Sequence, residues 1–136
     1  MFRTAHALCR VLILKAEIGK HLRSAYQAGD KEALRALLPQ LKEIRKRLDI
    51  FHRCYREQWY KENKSFGFEI QDLRIGGLMR RVETCTQVLS DYLDGKLARI
   101  EELEQPLLDF HGEGTVEKHR TFTAIYKNIV SANQIC

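Results

Sequence analysis

Apolar residues recur at helical spacing along most of the chain. From about Thr4 to Ala28, Leu8, Val11, Leu14, Ile18, Leu22 and Ala25 step by three or four, which predicts an amphipathic helix. Gly29 stops it, and Asp30 is suited to cap the next one. Lys31 to Asn63 carries the clearest stripe: Leu34, Leu37, Leu41, Ile44, Leu48, Phe51, Tyr55 and Gln58. Pro39 lies inside this run. It lacks an N–H and clashes with the preceding turn, so the reading there is a short helix to Leu37 or Leu38, then a long one. A third helix is predicted from about Phe68 to Asp94, on Ile75, Leu78, Val82, Cys85, Leu89 and Tyr92, closed by Gly95. Gly76-Gly77 inside it lowers helix propensity by roughly 1 kcal/mol per glycine relative to alanine, which points to close approach by a backbone or ligand.

The remainder is less regular. Ile100 to Glu104 forms a short acidic turn before Pro106. Leu107 to Thr115 reads as a loop. Val116 to Asn133 shows some helical spacing at Phe122, Ile125 and Ile129 among β-branched residues. No strand-like alternation or internal repeat occurs. The fold class is therefore all-α, an antiparallel bundle of three long helices with residues 107–136 as a helical or irregular tail.

Length and composition fit one domain spanning 1–136, because 136 residues with 44% apolar content can bury a real core. The formal charge of +5 is spread along the helices, and the basic run Lys42, Arg45, Lys46, Arg47, Arg53, Arg56 is interleaved with Glu43, Asp49 and Glu57. That is a solvated helix face rather than a phosphate-tracking stripe, so nucleic acid is not an expected partner. Val11 to Leu14 is too short an apolar run for a leader or a membrane span. The four cysteines form no C-x-x-C pair and no histidine completes a zinc set, so neither metal nor cofactor is expected, and a reduced, cytoplasmic chain is. His6, His21, His52, His111 and His119 belong to no catalytic motif, and Glu101, Glu102 and Glu104 lie on an exposed turn with nothing to enclose them as a glycosidase acid.

The densest chemistry lies between Trp59 and Met79, WYKENKSFGFEIQDLRIGGLM. Glu69, Gln71, Asp72 and Arg74 crowd the start of the third helix beside Phe66, Gly67 and Phe68. Acidic residues there cap and complement the helix dipole. The neighbouring aromatic turn and glycine pair add a second reading, a surface shaped for contact. In it Gln71 and Arg74 donate to sugar hydroxyls or a partner's carbonyls, and Trp59 or Phe66 offers an aromatic face.

This segment resembles the NKPFG-then-EVQDIRLGGL pattern of the helical C-terminal domain of bacterial β-N-acetylhexosaminidases of glycoside hydrolase family 20. The stretches LKAEIGKHLRSAYQAGDKEAL, DYLDGKLARIEELEQPLLDF and NIVSAN are similar to the same domain. Ser65 stands where the family usually has Pro, and Leu73 where it has Ile. The resemblance implies that catalysis belongs to a preceding (β/α)8 barrel with an adjacent Asp-Glu pair, a dipeptide this chain lacks. It further implies a non-catalytic domain, with Met1 as the start that a domain cut from a longer protein needs. The partners implied are the barrel of the same polypeptide, a second copy in a homodimer, and N-acetylglucosaminide or N-acetylgalactosaminide glycans through the parent enzyme. Glu69, Gln71, Asp72 and Arg74 would then lie near the barrel mouth or the dimer partner. Two other readings are a stand-alone helical interaction module and a small all-helical enzyme of the chorismate mutase type. The last needs cationic side chains turned inward, whereas those of the second helix fall opposite its apolar stripe.

Overall fold

A computed structural model describes residues 2–105 of the chain. It contains three long helices, α1 (Phe2–Gln27), α2 (Lys31–Glu62) and α3 (Phe68–Leu93), and a single turn, α4 (Glu101–Glu104); no strand occurs among the described residues. The all-α architecture expected from the periodicity is what forms. The readings made for Leu107–Thr115, for Val116–Asn133 and for the tail as a whole lie outside the described residues.

Helix α2 is central and packs against both α1 and α3. Arg47 donates to the Arg10 carbonyl at 2.7 Å, and Thr4 donates to the Cys54 carbonyl at 3.2 Å, so α1 and α2 run antiparallel. Arg45 meets Glu83 at 2.6 Å and His52 meets Asp72 at 2.6 Å, so α3 runs back alongside α2 in the direction of α1. The core joins Val11, Ile18 and Leu22 of α1, Leu34, Leu37, Leu41, Ile44 and Leu48 of α2, and Met79, Val82, Leu89 and Leu93 of α3. Near the start of α1 the buried residue is Ala7, not Leu8. A spacing of four from Ala7 to Val11 keeps both on the inner face, and Leu8 turns about 100° away from Ala7.

Helices α1 and α3 end alike. Beyond α1, Gly29 is left-handed at φ 66°, its N–H bonds the Tyr26 carbonyl, and the Asp30 N–H bonds the Ala25 carbonyl. Gly95, at φ 76°, repeats this with Tyr92 and Asp91. Both are glycine-terminated caps that satisfy carbonyls with no partner inside the helix. Asp30 caps α2 as expected, accepting from the Ala33 N–H at 2.9 Å.

Pro39 does not divide the second segment. Helix α2 runs through it unbroken from Lys31 to Glu62. The hydrogen bond proline cannot make would have ended on the Arg35 carbonyl, and both residues are exposed, so water can solvate that group. Leu34, Leu37 and Leu41 are buried on the opposite side, and their packing holds the helical path.

The turn at Glu101–Glu104 is anchored to the far end of the bundle. Arg23 donates to the carbonyls of Leu103, Gln105 and Glu102, Tyr26 donates to Glu104 at 2.7 Å and accepts from the Ile100 N–H at 2.9 Å, and Arg81 pairs with Glu102. Ile100 is buried beneath them.

Hydrogen bonds from Arg45, then Arg80, hold the Glu83 carboxyl below the ordinary glutamate range. The folded chain takes up this proton less readily than the unfolded chain. The stabilisation is therefore complete above the ordinary range and is lost as pH falls through the lowered folded value. Acidification below about pH 4 should lower the urea midpoint. Glu83→Gln should flatten that dependence, and an unchanged slope would show that the pair has no part in it.

Candidate functional site

The polar cluster between Phe66 and Arg74 forms where α2 gives way to α3. Helical spacing on α2 sets His52, Tyr55 and Trp59 along one side, and Phe68, the first residue of α3, inserts between them. Its ring lies 5.7 Å from His52, 5.9 Å from Tyr55 and Trp59, and 5.6 Å from Tyr60. Phe68 is only 1% exposed. It is an anchor and offers no face to a ligand. Phe66, two residues earlier, is 82% exposed and Trp59 is half-buried.

Gly67 makes this reversal possible. Its φ of 98° is left-handed, and a Cβ there would lie 3.4 Å from the Trp59 ring. The Trp59 indole N–H donates to the Lys64 carbonyl at 2.9 Å and ties the turn to α2.

The four polar residues divide by role. Glu69 reaches back to accept from the Gly67 N–H at 2.8 Å, so it caps α3. Asp72 does not cap. Its carboxylate points across to His52, because a residue in the second turn lies beyond reach of the free N–H groups and beside α2 instead. Gln71 is half-buried and Arg74 exposed, and neither has a hydrogen-bond or ion-pair partner among the described residues. His52 belongs to no catalytic motif, and its place on the Tyr55–Trp59 side of α2 is the signal that pairs it with α3.

The glycine pair behaves differently from its expected role. A Cβ on Gly76 or Gly77 would meet nothing within 4 Å. Nothing inside the described bundle requires glycine there. Toward solvent, this stretch of α3 carries two exposed apolar side chains just before Arg74: Ile70 is 53% and Leu73 77% exposed.

Elsewhere, a groove of about 220 Å³ runs between α1 and α2, lined by Arg3, His6, Arg10, Arg47, Ile50 and Cys54. Two of its cations are already paired, Arg3 with Glu57 and Arg47 with Glu43. Cys9 and Cys54 are free thiols. Among the described residues no group of three His, Cys, Asp or Glu side chains could hold a metal ion, and no helix is long and apolar enough to cross a membrane.

The described residues define an all-α three-helix bundle with an aromatic turn at one end and an exposed apolar stretch on its third helix. Its family is specific. Residues 1–123 match the model of the Glycoside Hydrolase 20C C-terminal domain, and the chain belongs to that family. It is thus the C-terminal domain of a larger glycoside hydrolase, as the Trp59–Met79 pattern implied. No curated protein sequence matches the chain.

Proposed function

We propose that this is a non-catalytic domain of a cytoplasmic exo-β-N-acetylhexosaminidase, which braces the catalytic (β/α)8 barrel beside the glycan site and supports pairing of two enzyme copies. One observation carries the reading. The start of α1 and the turn between α2 and α3 occupy the same end of the bundle, with Arg3 3.4 Å from Glu57 and Thr4 bonded to Cys54. In a C-terminal domain the preceding polypeptide arrives at the start of α1. On this reading the aromatic turn lies toward the catalytic domain. Trp59 and Phe66 supply apolar contact area there, and Gln71 supplies an amide with no partner among the described residues. Glu69, Asp72 and Arg74 continue from it along α3. The glycans reached through the parent enzyme would be N-acetylglucosaminides or N-acetylgalactosaminides.

Glycosidase chemistry needs an enclosed carboxylate pair. Glu69 is exposed and committed to its cap, and Asp72 is more than half exposed and committed to His52. The isolated chain should accordingly show no turnover of chromogenic β-N-acetylglucosaminides, and turnover that copurifies with the folded chain would overturn the non-catalytic reading. In the full-length enzyme, Phe66→Ala combined with Gln71→Ala should lower kcat/KM by roughly tenfold with little change in melting temperature. Unchanged kinetics would favour a helical module that acts away from the glycan site.

A further inference from the structure

We propose that the groove between α1 and α2 binds a small amphipathic anion, an oxyanion headgroup (carboxylate or phosphate ester) carried on one apolar ring or short chain. The inference goes beyond the function proposed above and does not depend on it.

Helical spacing builds the groove. Arg3, His6 and Arg10 recur at three and four along one face of α1, and Arg47, Ile50 and Cys54 do the same on the face of α2 opposite. The helices run antiparallel, so the two rows meet near the end of the bundle at which α1 starts. The floor is apolar. Ala7 is buried there, and its single methyl group leaves room between the helices that a longer side chain would fill. Ile50 and Cys54 complete that floor.

The rim is cationic. Three guanidinium groups and one imidazole line the groove, and no carboxylate of the described residues does. Two acids stand outside the lining, Glu57 at 3.4 Å from Arg3 and Glu43 at 2.8 Å from Arg47. Arg10 accepts from Arg47 through its carbonyl, while its guanidinium and the His6 ring have no hydrogen-bond or ion-pair partner among the described residues. The field of this rim is felt beside it. The hydrogen bond from Arg47 holds the Glu43 carboxyl below the ordinary glutamate range, against some desolvation, and the charges of Arg47, Lys46 and Arg10 add to that.

The ligand is the complement of this lining. Guanidinium groups donate and never accept, so the rim fits acceptor oxygens that carry negative charge. The floor fits an apolar body. A volume of about 220 Å³ is below the roughly 300 Å³ at which ligand pockets usually begin, which suits one ring or a short chain rather than an oligosaccharide.

Titration of the ¹⁵N-labelled chain with phenyl phosphate and with benzoate, followed by NMR, tests this. Benzyl alcohol supplies the ring alone and inorganic phosphate the headgroup alone. The aromatic anions should shift the amides of residues 3–10 and 47–54 together and saturably, and the tighter of the two identifies the headgroup. Benzyl alcohol and inorganic phosphate should each bind about tenfold more weakly or less, because each meets only floor or rim. Arg10→Gln should weaken both aromatic anions by about tenfold at unchanged melting temperature, since that side chain is exposed and unpartnered. Ile50→Glu places a carboxylate in the groove at a position that is 41% exposed, so it should abolish binding and leave the fold intact. Shifts spread over Lys42, Lys46 and Arg56 would show general attraction to a basic surface and overturn the site. So would inorganic phosphate binding as tightly as phenyl phosphate, or unchanged affinity in Arg10→Gln. Calorimetry on the full-length enzyme should give the same affinity and the same loss in Arg10→Gln. Binding by the chain that disappears in the full-length enzyme would mean that another part of the polypeptide covers the groove, and would overturn a site for a free anion.

Discussion

Phe68→Ala should lower the unfolding free energy of the chain by about 3–5 kcal/mol, whereas Phe66→Ala should change it by no more than about 0.5 kcal/mol. The two residues are adjacent to the same glycine and have the same side chain. Only burial separates them. Phe68 contacts rings from His52, Tyr55, Trp59 and Tyr60, all on α2, and is the residue that fixes the start of α3 against the end of α2. Its removal deletes apolar contact area and leaves a cavity among aromatic rings that cannot collapse without moving α3. Phe66 projects away from that cluster and loses little when truncated in the isolated chain. Urea unfolding of both variants, followed by circular dichroism, measures the contrast. Equal losses would mean that Phe66 packs inward, and a small loss for Phe68→Ala would mean that the aromatic cluster relaxes around the gap.

The long-period features of the fold were legible in the chain. The stripe on α2 named Leu34, Leu37, Leu41, Ile44 and Leu48, all of which are buried, and the Gly29-Asp30 pair marked the first reversal. Local rules misjudged Pro39 because they omit tertiary packing, which here outweighs a missing hydrogen bond on an exposed face. They also placed Phe66 and Phe68 together, since the short connection over residues 63–67 carries no period from which to tell inside from outside. Contacts between residues far apart in sequence left no trace at all. Arg23 reaches the carbonyls at residues 102, 103 and 105, and nothing near Arg23 in the chain distinguishes it from a solvated arginine. The candidate site was legible as a region through its crowding of polar residues. Its internal wiring, Glu69 to Gly67 and Asp72 to His52, needed the angle between α2 and α3.

Gly67→Ala should cost about 1–3 kcal/mol, the larger part of it from backbone conformation. An alanine at φ 98° brings its Cβ toward the following carbonyl, and here that Cβ would also press on the Trp59 ring at 3.4 Å. Gly29 is the comparison. It is left-handed too, at φ 66°, and a Cβ there would meet nothing within 4 Å, so Gly29→Ala should show the cost of an ordinary left-handed alanine alone. The excess at Gly67 then combines the ring contact with the further backbone cost of φ 98°, which lies outside that region. Relief of the strain at Gly67 would move Trp59 and weaken its indole bond to the Lys64 carbonyl, so the variant should shift tryptophan emission as well as stability. Trp59 is the only tryptophan in the chain, which makes that signal specific to the turn. Equal losses at both glycines with unchanged emission would show that the ring yields freely. A loss at Gly67 below about 0.5 kcal/mol would show that the turn adopts another path. On the proposed reading, in which this turn carries Phe66 toward the catalytic domain, Gly67→Ala in the full-length enzyme should lower kcat/KM at temperatures well below its melting point.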